Sequence, residues 1–193
     1  MKKMKIVING AGAAGLAVAR LLLAVGVGDL VILDSQGIIC QGRANMNPVK
    51  CEFALKTNKK KIKGGLSDAM AGADVFIGVS QANLVAPEMI KSMAPEPIIF
   101  AMANPIPEIM PDLAMKAGAA IIGTGRSDFP NQINNALVFP GIFRGLLDNH
   151  VGQVTTEIKI KAALALAGVI KPAKNQILPA VTDKRAVKAI AKA

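Results

Sequence analysis

Three glycines at fixed spacing, Gly10, Gly12 and Gly15, follow directly on an apolar run that ends at Asn9. Only alanines stand between them, Ala11, Ala13 and Ala14, and a segment with apolar residues at helical spacing comes after. Such a run is suited to holding phosphate. The first glycine allows a tight strand-to-helix turn, the second lets backbone approach a pyrophosphate, and the third lets the helix lie close on its strand. The unpaired N–H groups and positive end of that helix then face the phosphates. A second apolar run closes on Asp34, at about the 20-residue distance where an acid bonds the adenosine ribose hydroxyls and repels a 2′-phosphate. The residues from Gly10 to Gly15, with Asp34, are therefore the expected contacts of a dinucleotide, NAD in preference to NADP. Arg43 and the lysines near it are where a 2′-phosphate could be received instead.

The elements that would position these residues alternate strand and helix. Strands are expected at 4–9, 29–34, 74–79, 97–102 and 119–123, each apolar throughout. Helices are expected at 13–25, 48–55, 66–70, 87–93 and 111–117. Continuous apolar strands separated by helices indicate a parallel sheet covered on both faces. The fold class is thus α/β, a doubly wound parallel sheet of Rossmann type with at least five strands and C-terminal helices. Residues 35–65 read as a long connection rich in Gly, Asn and Lys. Beyond Gly125 the pattern is helical, at 139–147 and 155–170, with a short basic helix within 173–193. The expected division is a dinucleotide-binding domain at 1–150 and a helical extension of it at 151–193.

Ligands of open parallel sheets bind beyond the carboxyl ends of the strands. The loops there are rich in amides and poor in acids and bases: Ser80, Gln81, Asn83, Asn104, Asn131, Gln132, Asn134 and Asn135, with Asp128 and Glu108 standing alone. Amides both donate and accept hydrogen bonds, so they hold a carboxylate or carboxamide well and move protons poorly. Asparagine in loops also serves turn geometry alone. No catalytic residue and no metal ligand is assigned within the chain.

Composition narrows the rest. With 193 residues, 52% of them hydrophobic and 19% charged, the chain can bury a core and is not disordered by composition. No apolar run reaches the roughly 18 residues of a membrane span, and the basic start enters a strand directly, without a cleavable apolar region. A cytoplasmic location without membrane association is expected. Cys40 and Cys51 lack metal-binding spacing and read as reduced thiols, and His150, the only histidine, reads as a surface or capping residue. The net charge of +10 is concentrated in Lys56, Lys59, Lys60, Lys61 and Lys63 and in the tail from Lys171 to Lys192. Without Trp or Tyr there is no stacking platform, so a solvated basic face or attraction of anionic ligands is favoured over nucleic-acid binding.

Four stretches carry a family resemblance: GAGAAGLAVARLL, LDSQGIICQGR with MNPVK, FAMANPIPEIMP, and TGRSDFPNQINNALVFPGIFRGLLD. Together they resemble the NAD-binding half of bacterial-type malic enzymes over residues 5–170. The resemblance implies oxidation of malate and its decarboxylation to pyruvate, with NAD(P) and with Mg²⁺ or Mn²⁺. It implies Gly10, Gly12, Gly15 and Asp34 as dinucleotide contacts and Ser80 near the cofactor ribose. It further implies Asn104 beside cofactor and substrate, and Asn134 and Asn135 toward the malate carboxylate. The family's catalytic tyrosine and lysine and its acidic metal ligands lie in a separate amino-terminal domain. A catalytic domain or partner chain is therefore the expected complement, with homo-oligomerisation. A standalone NAD-binding regulatory module and a basic nucleic-acid-associated protein are the alternatives.

Overall fold

The computed structural model describes residues 2–193, and their packing falls into two compact units, Met1–Arg126 and Ser127–Ala193. The division by packing lies ahead of residue 150, where the sequence pattern was divided.

The first unit holds a six-stranded sheet. Its strands are β1 (Lys5–Asn9), β2 (Asp29–Asp34), β3 (Gly37–Ile38), β4 (Val75–Gly78), β5 (Ile98–Ala101) and β6 (Ile121–Thr124). Their spatial order is β3-β2-β1-β4-β5-β6. β1 pairs in parallel with β2 on one side and β4 on the other, and β5 and β6 extend the parallel set. The direction of winding therefore reverses between β1 and β4, which is where open α/β sheets bind their ligands. The five expected strands are all present, each within a residue or two of its expected bounds.

Alternation along the strands sends side chains to two separate cores. Ile6, Ile8, Leu30, Ile32, Val75 and Ile77 pack with Leu16 and Ala19 of α1 (Ala13–Ala24) and with Phe53 and Ala54 of α2 (Pro48–Lys56). On the opposite face Val7, Val31, Leu33, Phe76 and Ile99 meet α3 (Leu66–Met70), α4 (Pro87–Lys91) and α5 (Pro111–Lys116) through Ala69, Met70, Ile90 and Ala114. A sheet covered on both faces needs strands apolar at every position, and that is their composition. α2, α4 and α5 each begin on a proline, whose missing N–H costs nothing in the first turn.

One strand was not anticipated. β3 is two residues long and antiparallel to β2, inside what the sequence presented as plain connection. Two residues of Gly-Ile carry no periodicity; the strand exists because the turn at Asp34–Gly37 returns the chain alongside β2.

In the second unit a 3₁₀ turn, Asn135–Leu137, leads into α6 (Phe139–Asp148), followed by α7 (Thr156–Ala167) and α8 (Lys184–Lys192). Thr155 caps α7 by accepting the Ile158 N–H, and Asp183 caps α8 by accepting that of Arg185. Leu137, Ala162, Leu166, Ala186 and Ile190 form the core. α6 crosses α8 closely: a Cβ at Gly141 would lie 2.7 Å from the Ile190 Cβ, and one at Gly145 would lie 2.8 Å from the Ala191 carbonyl oxygen. A Gly141→Ala change should thus lower the thermal stability of this unit by about 1–3 kcal/mol through overpacking, readable by calorimetry; an unchanged melting profile would refute the tight crossing. Among the described residues no helix is long and apolar enough to cross a membrane.

Candidate dinucleotide site

β1 ends at Asn9, and the chain turns through Gly10 with φ at +122°, a conformation that side chains rarely adopt. The Gly10 N–H donates to the Leu33 carbonyl at 2.9 Å, which ties the turn to the end of β2. α1 begins immediately after. Gly15 sits in its first turn, buried, where a Cβ would run into the Gly10 carbonyl oxygen and lie 3.2 Å from Val79 Cγ2. Gly10 and Gly15 are therefore required by the chain's own packing.

Gly12 is different. A Cβ there would meet nothing within 4 Å. Gly12 is the N-cap of α1, no side chain caps the helix, and no acid stands in its first turn. Gly12, Ala13 and Ala14 are exposed and Ala11 is half-buried. The protein's own packing does not call for glycine at position 12, whereas the approach of a pyrophosphate does. The loop fits a dinucleotide.

A cleft of about 590 Å³ opens beside this turn, lined among others by Asn9, Gly10, Asp34, Gly37, Gly65 and Ser80. Three of the sequence-predicted residues, Gly10, Asp34 and Ser80, thus face one space at the reversal of the sheet. The Asn9 amide donates to Ser80 Oγ at 2.9 Å, joining the ends of β1 and β4. Asn9 was not singled out from sequence, although a polar residue closing an apolar run was visible there.

Asp34 does not present a bare carboxylate. Arg43 grips it with two hydrogen bonds, Nη1 to Oδ1 at 2.8 Å and Nη2 to Oδ2 at 2.6 Å, and Lys50 Nζ adds a third at 2.6 Å. The Gln36 N–H donates to Oδ1 at 2.9 Å. Arg43 and then Lys50 hold the Asp34 carboxyl far below the usual carboxylate range, against the opposing effect of burial. The Arg43 guanidinium is correspondingly raised, by its bonds to Asp34 first. Two cations therefore stand at the acid expected to bind ribose.

The sign of the resulting pH dependence is fixed. A carboxyl depressed in the folded state stabilises above its unfolded pKa of about 3.9, and this is lost as pH falls toward the folded value. Asp34→Asn should cost about 1–2 kcal/mol at neutral pH, between an exposed and a buried pair. In urea titrations that difference should shrink below about pH 4. A difference that stayed constant down to pH 2 would show that the charge is not responsible.

Glu108 stood alone in the sequence, but in the fold it is fully buried. Its carboxylate accepts the Ser80 N–H at 3.1 Å and the Ala103 N–H at 3.0 Å, bridging the loops after β4 and β5. The same loops are joined by Asn83 N–H donating to the Pro107 carbonyl at 3.1 Å and Val85 N–H to that of Glu108 at 3.0 Å. A Cβ on Gly78 would strike the Glu108 carboxylate, so that position is closed to side chains. Nothing local in the sequence marks Glu108: both its partners are backbone N–H groups, one in its own loop and one 28 residues away after β4. Replacing it with alanine strands one buried and one part-buried donor and should destabilise the unit by about 1–3 kcal/mol; chemical denaturation checks this, and a loss under about 0.5 kcal/mol would contradict the bridge.

Asn104 is exposed after β5, and its bond to Pro105 is cis. It does not line the cleft that holds Gly10, Asp34 and Ser80. In the second unit, Asn134 spends its side-chain oxygen on the Ala136 N–H at 2.9 Å, which caps the 3₁₀ turn, and Asn135 is exposed within that turn. Asn131 is buried and structural. Its amide donates to the Lys174 carbonyl at 2.8 Å and accepts the Ile177 N–H at 3.0 Å.

The protein family described as "Malic enzyme, NAD binding domain" matches residues 1–193. The chain belongs to this family. It is 53% identical over its whole length to the bifunctional malic/malolactic enzyme of Bacillus subtilis, and spans 48% of that protein. It is 43% identical to an NADP-dependent malic enzyme of Halomonas elongata, covering 97% of this chain and 44% of the relative. Among solved structures, the NAD-dependent malic enzyme of Thermotoga maritima superposes with a TM-score of 0.95 at 41% identity, over 99% of this chain and 51% of that one. The chain thus spans about half the length of the malic enzymes it matches.

Proposed function

We propose that this domain serves the oxidative decarboxylation of malate to pyruvate, with its proton-transfer and metal chemistry supplied by the further half that its relatives possess. The observation that carries the reading is the open backbone at Gly12 on an uncapped, exposed helix start, within a chain of this family. NAD held there would supply the hydride acceptor for oxidation of the substrate's secondary alcohol. Gly10 and Gly12 would hold the pyrophosphate, with the free N–H groups of the first turn of α1 as its donors. Ser80, fixed by Asn9, stands toward a ribose. The amide of Asn104 serves the nicotinamide side and the substrate, and those of Asn134 and Asn135 the malate carboxylate.

The residues in hand suit binding better than proton transfer. There is no tyrosine and a single histidine, and among the described residues no three His, Cys, Asp or Glu side chains cluster as a metal site would require. A general base and the ligands for Mg²⁺ or Mn²⁺ are therefore assigned to the complementary half.

NAD remains the preferred dinucleotide, by a small margin. Asp34 retains lone pairs for ribose hydroxyls, but Arg43 and Lys50 cancel most of its repulsion of a 2′-phosphate. Titration calorimetry with both dinucleotides should give tighter NAD binding by no more than about tenfold, with Asp34→Ala narrowing the gap. Equal or tighter binding of NADP would refute the preference.

A further inference from the structure

The lysine run from Lys56 to Lys63 lies outside the dinucleotide cleft, yet its folding is more specific than a solvated face requires. Thr57 and Asn58 are only 5% and 4% exposed. The Thr57 hydroxyl donates to the Phe53 carbonyl at 2.7 Å, and the Asn58 N–H donates to that of Leu30 on β2 at 2.7 Å. The Asn58 side chain closes the loop on Ile62 in both directions, donating to its carbonyl and accepting its N–H, each at 2.8 Å. Asn58 and Lys61 both take the left-handed conformation, with φ of +51° and +54°. A buried asparagine thus fixes the backbone from which Lys59, Lys61 and Lys63 project.

That backbone borders a cleft of about 450 Å³, lined among others by Cys40, Gln41, Lys56, Lys59, Lys61 and Lys63. The cleft shares Cys40, Gln41 and Lys63 with a neighbouring one of about 610 Å³, which includes Arg43, Gly37 and Gly65. Gly37 and Gly65 in turn belong to the dinucleotide cleft. No carboxylate lines either of the two basic clefts. Some of the positive charge is already matched: Arg43 by Asp34, and Lys56 by Glu52. Lys59 Nζ donates to the Gly28 carbonyl. Lys61 and Lys63 are exposed and have no ion-pair partner among the described residues. Ammonium groups held together on a fixed loop repel one another, and an anion between them removes the repulsion and gains charge-assisted hydrogen bonds.

We propose that the Lys56–Lys63 loop forms a second anion site, distinct from the glycine loop, for a small molecule carrying two or more phosphates. The extent of the cleft and the number of lysines around it suit a chain of phosphates rather than a single one. The strip from Gly37 to Gly65 places the occupant next to the adenosine end of the dinucleotide.

The test is calorimetric titration of the full chain with inorganic tripolyphosphate at physiological salt. Binding at one site is expected, weakened by roughly tenfold or more in a Lys61→Glu/Lys63→Glu variant and changed by less than about twofold in Gly12→Val. A charge-matched Lys171→Glu/Lys174→Glu variant, altered on the exposed tail, should likewise bind as the parent does. Absence of binding by the parent would overturn the proposal. So would loss in Gly12→Val, which would put the anion on the glycine loop, or equal loss in the tail variant, which would make net charge the cause. Parallel titrations with NAD and NADP separate the phosphate sources. If the lysine changes weaken NADP binding and leave NAD unchanged, the loop receives the cofactor's single 2′-phosphate and the proposal of a separate polyphosphate site is overturned; if neither dinucleotide is affected, a separate ligand is supported.

Discussion

Gly15→Val should abolish dinucleotide binding and leave the first unit barely folded. The Cβ alone would enter the Gly10 carbonyl oxygen, and that oxygen belongs to a turn already fixed by the Gly10 bond to Leu33. A flexible side chain could give way, but this backbone cannot move without displacing α1 from β1. Overpacking of this kind costs about 3 kcal/mol or more, a large part of the 5–15 kcal/mol that typically holds a domain together. Where the variant does fold, a shifted helix start should weaken NAD by about 100-fold or more, near 2.7 kcal/mol. Circular dichroism melting and NAD titration read the two effects. A variant that melts like the parent and binds NAD equally well would show that α1 does not pack as described.

The second large effect concerns turnover. The 193-residue chain should bind NAD yet form no measurable NADH from malate with Mn²⁺ present. Hydride removal needs a base, worth about 10²–10⁴-fold, and decarboxylation needs charge stabilisation worth about 10²–10³-fold. Positioning of cofactor and substrate cannot replace both. With the complementary half of a close relative added, activity should appear, and Asn104→Ala or Asn135→Ala should then reduce it by about 100-fold through misplaced substrate. Robust malate oxidation by the chain alone would overturn the division of labour and would call for a base among its own lysines or Asp128.

How far the sequence revealed these features depended on whether the determining contact was local. The β1–Gly10–α1 turn and the five parallel strands were legible, because glycine spacing and continuous apolar runs are signals contained within a few residues. The helix bounds were also legible where proline opened the helix, as at Pro48, Pro87 and Pro111. Glu108 was not, since its purpose is to tie its own loop, at the Ala103 N–H, to the Ser80 N–H that only the fold brings to it. The state of Asp34 was half legible. Its position followed from spacing, but its engagement by Arg43 and Lys50 depends on how residues 35–50 return past β3. Asn58 shows the same limit: amid a run of lysines it reads as one more polar loop residue, and only its burial marks it as the support of that loop.

The most direct test of the central claim, that the glycine loop at the end of β1 holds the dinucleotide, is NAD titration of the chain against Gly12→Val. A Cβ at this position meets nothing within 4 Å, so the variant should fold, losing no more than about 1 kcal/mol for a poorer N-cap residue. The new side chain would project into the space assigned to the pyrophosphate. The expected result is a cooperatively folded chain melting close to the parent, with NAD affinity lowered by about 100-fold or more. Equal NAD affinity in a folded Gly12→Val chain would contradict it.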